Sequence, residues 1–291
     1  MAGNEQRSRG RRRPTDTSWD RVASWYDGWV GSRGSHYHRA VAIPATLELL
    51  DPRRGESVLD IGAGQGVLAP YVARTGARYT GIDASPRLTA LAQRRHGQLG
   101  RFVVGDVARM STLGIVRASY DAAVFLLSIQ DIDPLEAVLN SVAWALRPRS
   151  RIVIFMTHPA FRIPRHSGWG FDPSRRLVYR RLDSYLSPMD VPMRSVGGER
   201  PTRSFHRPLS SYVNALGHVG FAIDAMLEIP DLPPDERPSA ARRSSVANPD
   251  IPLFLCMRAV RGLTTGRQTG GHEVAPSKPG GGWRRTASLR G

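Results

Sequence analysis

Cysteine is nearly absent from these 291 residues: Cys256 is the only one. That excludes a disulfide framework and leaves the cytoplasm as the default address. Cys256 stands in the apolar run 251–257, so a buried core thiol is expected. Lysine is as scarce, with Lys278 alone among 41 basic residues, so the positive charge is carried by arginine. No run of 18 apolar residues occurs, which excludes a membrane-spanning helix. The basic start at 1–13 has no apolar stretch behind it, so no secretory signal is expected. The histidines and acids form no recognisable ligand spacing, and no metal is expected.

The net charge is +16, but it is unevenly spread. Residues 1–17 hold five arginines against Glu5 and Asp16. Residues 261–291 hold five arginines and Lys278 against Glu273. These two Gly/Ser/Thr-rich ends carry half of the excess and read as disordered tails around a domain at 18–260. Nucleic acid is therefore a weak expectation as a partner, although arginine would supply the electrostatic attraction for it.

Between the tails a strand–helix rhythm sets in. Strands are expected at 57–61, 79–82, 101–104, 121–127 and 151–156. Helices are expected at 67–74, from Pro86 to about 96, and at 134–146. Ser85-Pro86 supplies an N-cap and a proline suited to the first helical position. Such alternation predicts an α/β fold, a Rossmann-like parallel sheet with helices on both faces. Residues 18–50 read as two helices around a glycine-rich break. Trp19, Val22, Trp25, Tyr26 and Trp29 recur at three- and four-residue steps, as one helix face requires. The rhythm fails over 158–207, where prolines, aromatics, arginines and histidines follow no period. That length is too great for an ordinary loop and marks a cap insertion. A helix at 209–219 and strands at 221–229 and 252–260 close the domain, the last two as an antiparallel hairpin at the sheet's edge.

The run from Val58 to Gly66 reads VLDIGAGQG: a buried strand entering a glycine-rich turn. A dinucleotide fingerprint, G-x-G-x-x-G, would place its third glycine at position 67, which is Val67. Here the order is Gly62, Gly64, Gly66, which argues against NAD or FAD. Asp60 lies 23 residues before Asp83, and Asp83 another 23 before Asp106. In this order the motifs resemble those of the class I S-adenosylmethionine-dependent methyltransferases, over about 18–260. The resemblance implies a seven-stranded sheet ending in an antiparallel hairpin, S-adenosyl-L-methionine as cofactor, and methyl transfer as the chemistry. The segments 158–170 and 203–208 resemble a bacterial natural-product branch, some of whose members methylate indole-containing small molecules.

Each residue then acquires an expected role. Gly62, Gly64 and Gly66 let the backbone turn tightly against the cofactor. Asp60 meets the cofactor's ammonium group or accepts backbone N–H bonds from the turn. Asp83 takes both ribose hydroxyls on one carboxylate. Asp106 accepts from the adenine amino group, and Val107 packs on the ring with Ile82, while Ala84 and Leu88 extend the apolar wall or merely face a helix. Ser128 and Gln130 follow the fourth strand and face the methyl donor. Tyr26 either closes the cofactor pocket or packs with Trp19 and Trp29. In the insertion, Phe161, Trp169, Phe171, Tyr179, Tyr185 and Phe205 are candidate walls for a flat acceptor. Arg162, Arg165 and Arg207 are candidate carboxylate binders. His158, just past the fifth strand, is the candidate proton acceptor, with His166 and His206 behind it.

The expected partner is a small aromatic substrate, with indole C3 as the first candidate atom. O- or N-methylation of another small molecule remains open, as does an RNA methyltransferase. A binding-only protein on a degenerate fold is the non-enzyme alternative. A homodimer is left open, through the N-terminal aromatic face or the insertion.

Overall fold

The computed structural model describes residues 18–193, 201–231 and 248–262. The expected tails therefore lie outside the described residues, save for Arg261 and Gly262. Helices α1 (Ser18–Arg21) and α2 (Ala23–Val30) come first, then a π-helical turn at His38–Ala42 that runs into α3 (Ile43–Leu50). Asp51 takes a left-handed conformation, φ 39°, and ends α3 ahead of Pro52. Then follow β1 (Ser57–Ile61), α4 (Ala69–Arg74), β2 (Arg78–Asp83), α5 (Pro86–His96) and β3 (Gly100–Val104). The second half holds β4 (Tyr120–Leu126), α6 (Leu135–Ala145) and β5 (Leu146–Thr157). The domain ends with α7 (Leu209–His218), β10 (Phe221–Pro230) and β11 (Pro252–Arg261).

Seven of these strands form one sheet in the order β10-β11-β5-β4-β1-β2-β3. Only β11 is antiparallel to its neighbours, β5 on one side and β10 on the other. The central strands are apolar almost throughout because helices cover both faces. Leu59, Ile61, Phe125 and Ile154 pack on one face with α6 and α7. Val58, Val124, Val153 and Phe155 pack on the other with α3 and α4. Phe125 and Phe155 are fully buried, which contributes roughly 2–3 kcal/mol each. Strand order reverses between β1 and β4, so the loops after these strands part and leave a crevice at the carboxyl edge.

Three local expectations need correction. The helix after β1 begins at Ala69, not 67, because the glycine-rich turn uses up two more residues. Strand β5 begins at Leu146, directly after α6, and runs through the segment that reads as a loop. The aperiodic insertion folds as two antiparallel hairpins, β6 (Ser167–Asp172) with β7 (Leu177–Leu182), and β8 (Met189–Pro192) with β9 (Arg203–His206). No apolar alternation announces β6 and β7, since both are intermediate or exposed along their whole length.

The turn after β1 depends on glycine for space as well as for torsion. Gly62 has φ 71°, and a Cβ there would lie 2.6 Å from Ser128 Cβ. Gly66 has φ 78°, and a Cβ there would lie 2.8 Å from the Phe102 ring. Gly62→Ala is expected to lower unfolding stability by about 1–3 kcal/mol. Gly28→Ala, in α2 with nothing near its added methyl, is expected to be neutral or to stabilise by about 0.5–1 kcal/mol. Urea denaturation of both variants checks the contrast, and equal midpoints would contradict it.

Candidate active site

A cavity of about 840 Å³ opens at the carboxyl edge of the sheet. Its first end is made by the loops after β1, β2 and β3: Gly62, Gly64, Asp83, Ala84, Asp106 and Val107 all line it. Asp83 closes β2, and its carboxylate ties two loops together. Gly64 N donates to Oδ2 and Ser85 N to Oδ1, each at 2.8 Å. Burial raises the carboxyl's pKa, while these two N–H donors oppose the rise. Asp106 caps the short 3₁₀ turn at Val107–Thr112 by accepting from Ala108 N at 2.9 Å. Leu88 lines the cavity as well, while Ile82 lies in the core beneath.

Helices α1 and α2 close over this end. Ser85 Oγ donates to Asp20 Oδ1 at 2.6 Å, and Arg87 N donates to the same oxygen at 2.9 Å. Arg95 grips Asp27 through both nitrogens, at 2.6 and 2.8 Å. Pinned in this way, the aromatic face turns Trp19, Tyr26 and Trp29 to the cavity. The two readings of Tyr26 thus merge, because the aromatic packing face is itself a cavity wall. Burial, then the charges of Asp83, Asp131 and Asp60, raise the Tyr26 phenol far above its usual range, so it stays a neutral donor.

Ser128, Gln130 and Asp131 form the middle of the cavity. Ser128 Oγ donates to the carbonyl of Ile61 and joins the ends of β4 and β1. Gln130 Nε2 donates to Leu127 O at 2.7 Å, while its Oε1 is buried with no partner among the described residues. Asp131 is half-buried, and burial pushes its carboxyl up to about 7 against an opposing Ser204 hydrogen bond. Asp60 lies under the turn rather than on the cavity lining. Tyr79 donates to its Oδ2 at 2.6 Å, and Oδ1 is a second unpartnered buried oxygen. Burial, with Asp83 adding to it, pushes the Asp60 carboxyl up to about 7. His38, also on the lining, is held near 4 by burial and then by Arg39, so it stays neutral at physiological pH.

The far end is lined by Arg162, Arg180, Arg203, Phe205, Asp231 and Phe254. Of the substrate candidates named from sequence, Arg162 and Phe205 reach it. The others do not line it. Phe161 packs on His158, ring centroids 4.8 Å apart, and its carbonyl accepts from Arg180 Nε at 2.7 Å. Trp169 lies under the Arg180 guanidinium, 5.0 Å away, as its cross-strand partner. Arg165 points away and donates to Pro192 O at 2.6 Å. Tyr185 receives Leu209 N on its hydroxyl and His206 Nε2 on its carbonyl. Arg207 is buried and donates to Ile132 O and Asp133 Oδ1 at 2.9 and 2.7 Å. His166 pairs with Asp183 at 2.7 Å on the surface. Phe171 and Tyr179 are 53% and 43% exposed, facing solvent rather than the cavity. Gly66 is covered by Phe102 and Ala92 beneath the turn.

His158 also needs correction. Its Nδ1 accepts from Ala160 N and Phe161 N at 3.1 and 3.4 Å, so Nε2 carries the proton and donates to Glu228 at 3.0 Å. Burial lowers its pKa although Glu228 pulls the other way. Both ring nitrogens are thus engaged off the cavity, in holding the start of the insertion to β10. A carboxyl that does face the middle of the cavity is Asp131, one residue past the polar pair expected after β4. Its adjacency to Gln130 was the available signal. Nothing local distinguished Arg180 from the other insertion arginines.

Among the described residues, no helix is long and apolar enough to cross a membrane, and no three His, Cys, Asp or Glu side chains are grouped to hold a metal. Residues 59–154 match a family model described as a methyltransferase domain. A demethylmenaquinone methyltransferase from Tropheryma whipplei is 33% identical over 150 residues, 48% of this chain and 58% of that protein. A ubiquinone biosynthesis O-methyltransferase from Xanthomonas axonopodis is 27% identical over 139 residues, 46% of this chain and 58% of the relative. The chain thus spans little more than half the length of these curated relatives. The crystal structure of an S-adenosylmethionine-dependent methyltransferase from Mesorhizobium loti superposes with a TM-score of 0.61 at 24% identity, covering 79% of this chain and all of that one. One from Listeria monocytogenes gives 0.60 at 20% identity, covering 78% and 98%. These likenesses establish the fold.

The Asp60 carboxyl carries a stability consequence. Its folded pKa, about 7, lies above the ordinary aspartate value of about 3.9. Between those values the folded state holds more protons than the unfolded one, so this residue's contribution falls as pH rises through that window. Asp60→Asn removes the ionisation and keeps an acceptor for Tyr79. The melting-temperature difference, variant minus wild type, is expected to grow as pH is raised from about 5 to 8. A difference independent of pH would show that Asp60 ionises normally.

Proposed function

We propose that this chain, which belongs to the class I S-adenosylmethionine-dependent methyltransferases, methylates a small, flat aromatic acceptor, with indole C3 of a tryptophan-derived metabolite as the first candidate atom. The observation that carries this reading is one continuous cavity with a nucleoside-type end at Asp83 and Asp106 and an aromatic, arginine-lined end beyond Gln130. At about 840 Å³ it is at the upper end of the usual range for a ligand pocket, as a cofactor and an acceptor together require. The names of the two relatives above, a demethylmenaquinone methyltransferase and a ubiquinone biosynthesis O-methyltransferase, support a small-molecule acceptor.

The residues present fit S-adenosylmethionine. A carboxylate offers about four lone-pair sites. Asp83 uses two of them on Gly64 N and Ser85 N, and two remain for ribose hydroxyls. Asp106 and Val107 would hold the adenine. The unpartnered Gln130 Oε1 would accept from the ammonium group, with the acids around Tyr26 favouring a cation there. When bound, the cofactor supplies a methyl group already activated on sulfonium. The protein's work is then orientation and proton handling. Trp29, Tyr37, Phe205 and Phe254 give planar walls that hold an aromatic ring in line, and alignment supplies much of the acceleration. The proton released from the acceptor's nitrogen or hydroxyl passes to Asp131, whose pKa of about 7 suits a base at neutral pH. This replaces His158 in the base's role.

Isothermal titration is expected to give micromolar binding of S-adenosylhomocysteine and none of NAD. Asp83→Ala should weaken that binding at least tenfold, from the loss of a charged hydrogen bond worth about 1.5–3 kcal/mol. A panel of indoles and phenols should yield a product heavier by one methyl, which NMR assigns to carbon, nitrogen or oxygen. Methylation of transfer or ribosomal RNA alone would refute the small-molecule reading.

The base itself predicts a pH profile. Wild-type kcat/KM should rise with pH and level off above about 7, as Asp131 loses its proton. In Asp131→Asn the rise should vanish and kcat should fall by about tenfold or more. An unchanged profile in that variant would assign the proton to another group.

A further inference from the structure

Two arginines meet at the far end of the cavity without enough negative charge to balance them. Arg162 and Arg180 both line it, close enough that Arg162 disfavours the charge on Arg180. Arg203, the third, is taken by Asp190 through Nε and Nη2. Asp231 is the nearby acid and favours both charges. Among the described residues the group therefore holds one more cation than anion. Two like charges side by side repel each other, and an anion placed between them relieves that repulsion.

Their mounting differs in a way that suits ligand binding. Arg180 is fixed: Nε donates to Phe161 O at 2.7 Å, Nη2 to Ser167 Oγ at 3.0 Å, and the guanidinium stacks on Trp169. Arg162 stacks on the Phe254 ring at 4.9 Å, and no hydrogen bond or ion pair among the described residues occupies its guanidinium. Arg162 is exposed to solvent, so its N–H edges are open to an incoming ligand. A planar guanidinium held by stacking, with its N–H edges unspent, is the donor for a carboxylate.

Position separates this group from the nucleoside end. Asp83 closes β2, whereas Arg162 follows β5 and Phe254 stands on β11. In the sheet order these strands are three and four places from β2, or about 14–19 Å at the usual strand spacing. The ring walls Phe205 and Phe254 lie at the same end as the arginines.

We propose that Arg162 and Arg180 form an anion subsite that holds the carboxylate of an aromatic acid, so that the acceptor is an aromatic carboxylate rather than a neutral ring compound. This deepens the methyltransferase reading and rests on it. The carboxylate anchors one end of the acceptor, Phe205 and Phe254 flank its ring, and the reactive atom is directed toward Gln130 and Asp131.

The test compares acids with their isosteric amides on protein saturated with S-adenosylhomocysteine. Indole-3-acetate is paired with indole-3-acetamide, and 4-hydroxybenzoate with 4-hydroxybenzamide. Binding is read by titration calorimetry. At least one acid should bind tenfold or more tightly than its amide. Arg162→Met, which keeps an apolar stem against Phe254, should reduce that preference below twofold and leave S-adenosylhomocysteine affinity unchanged. Arg162→Lys, which keeps the charge but loses the planar fork, should fall between. The proposal is overturned if neither acid is preferred over its amide in the wild type. It is equally overturned if Arg162→Met weakens S-adenosylhomocysteine as much as the acid, for the arginine would then serve the cofactor's own carboxylate. Failure of the wild type to bind S-adenosylhomocysteine would count against the cofactor assignment instead. The acid–amide comparison on the protein alone would then still decide the subsite.

Discussion

The Asp83 carboxylate is the joint on which the cavity depends. It sits where β2 ends and accepts one N–H from the glycine-rich turn and one from the start of α5. Ser85, the residue it holds, caps α5 through Leu88 N and donates its hydroxyl to Asp20 in α1. One partly buried charge thereby links the turn, the helix and the segment that closes over them. A partly buried anion is tolerated because each of its oxygens has a backbone donor, and the residue also lines the cavity. Without that carboxylate the turn and α5 would keep their own local geometry but lose their common reference point.

The cavity is polarised from end to end. Asp60, Asp83 and Asp131 surround Tyr26 and raise its pKa together, and burial pushes two of those acids to about 7. Such crowding of carboxyls is unfavourable until a cation arrives. The opposite end has the converse excess, with Arg162 close enough to disfavour the charge on Arg180. The two ends of the cavity thus favour ligand groups of opposite charge.

The hairpins of the insertion explain how a segment without a core of its own stays ordered. Their crosslinks run from side chain to backbone, from guanidinium to ring and between paired side chains. Arg180 ties β7 to the 158–166 loop, Arg165 ties that loop to β8, and Arg203 pairs with Asp190 across β8 and β9. His158 fastens the root of the segment to Glu228 on β10. Several arginines and histidines that resemble ligand groups in the sequence are engaged as this framework. Polar crosslinks replace the apolar area that these short, half-exposed strands do not bury.

The sequence by itself determined the α/β alternation, the sheet's antiparallel closing strand and the positions of Gly62, Gly64, Asp83 and Asp106. Those features are local. A strand buried on both faces is apolar throughout, a tight turn demands glycine, and an acid at a strand's carboxyl end lies where such sheets bind ligands. Ser85-Pro86 likewise marked its helix start, because a cap acts within a single turn. Only the tertiary structure decided which insertion residues meet the cavity. Arg162 and Arg180 do so, whereas Arg165, Arg207, Tyr185, His158 and His206 do not. An arginine's reach is long, and whether it meets a ligand, a carbonyl or an aromatic ring depends on the neighbour that the fold brings to it. Asp131 was hidden for the same reason. Its raised pKa comes from the dehydration that distant segments impose on it, which nothing in the order of residues around it could encode.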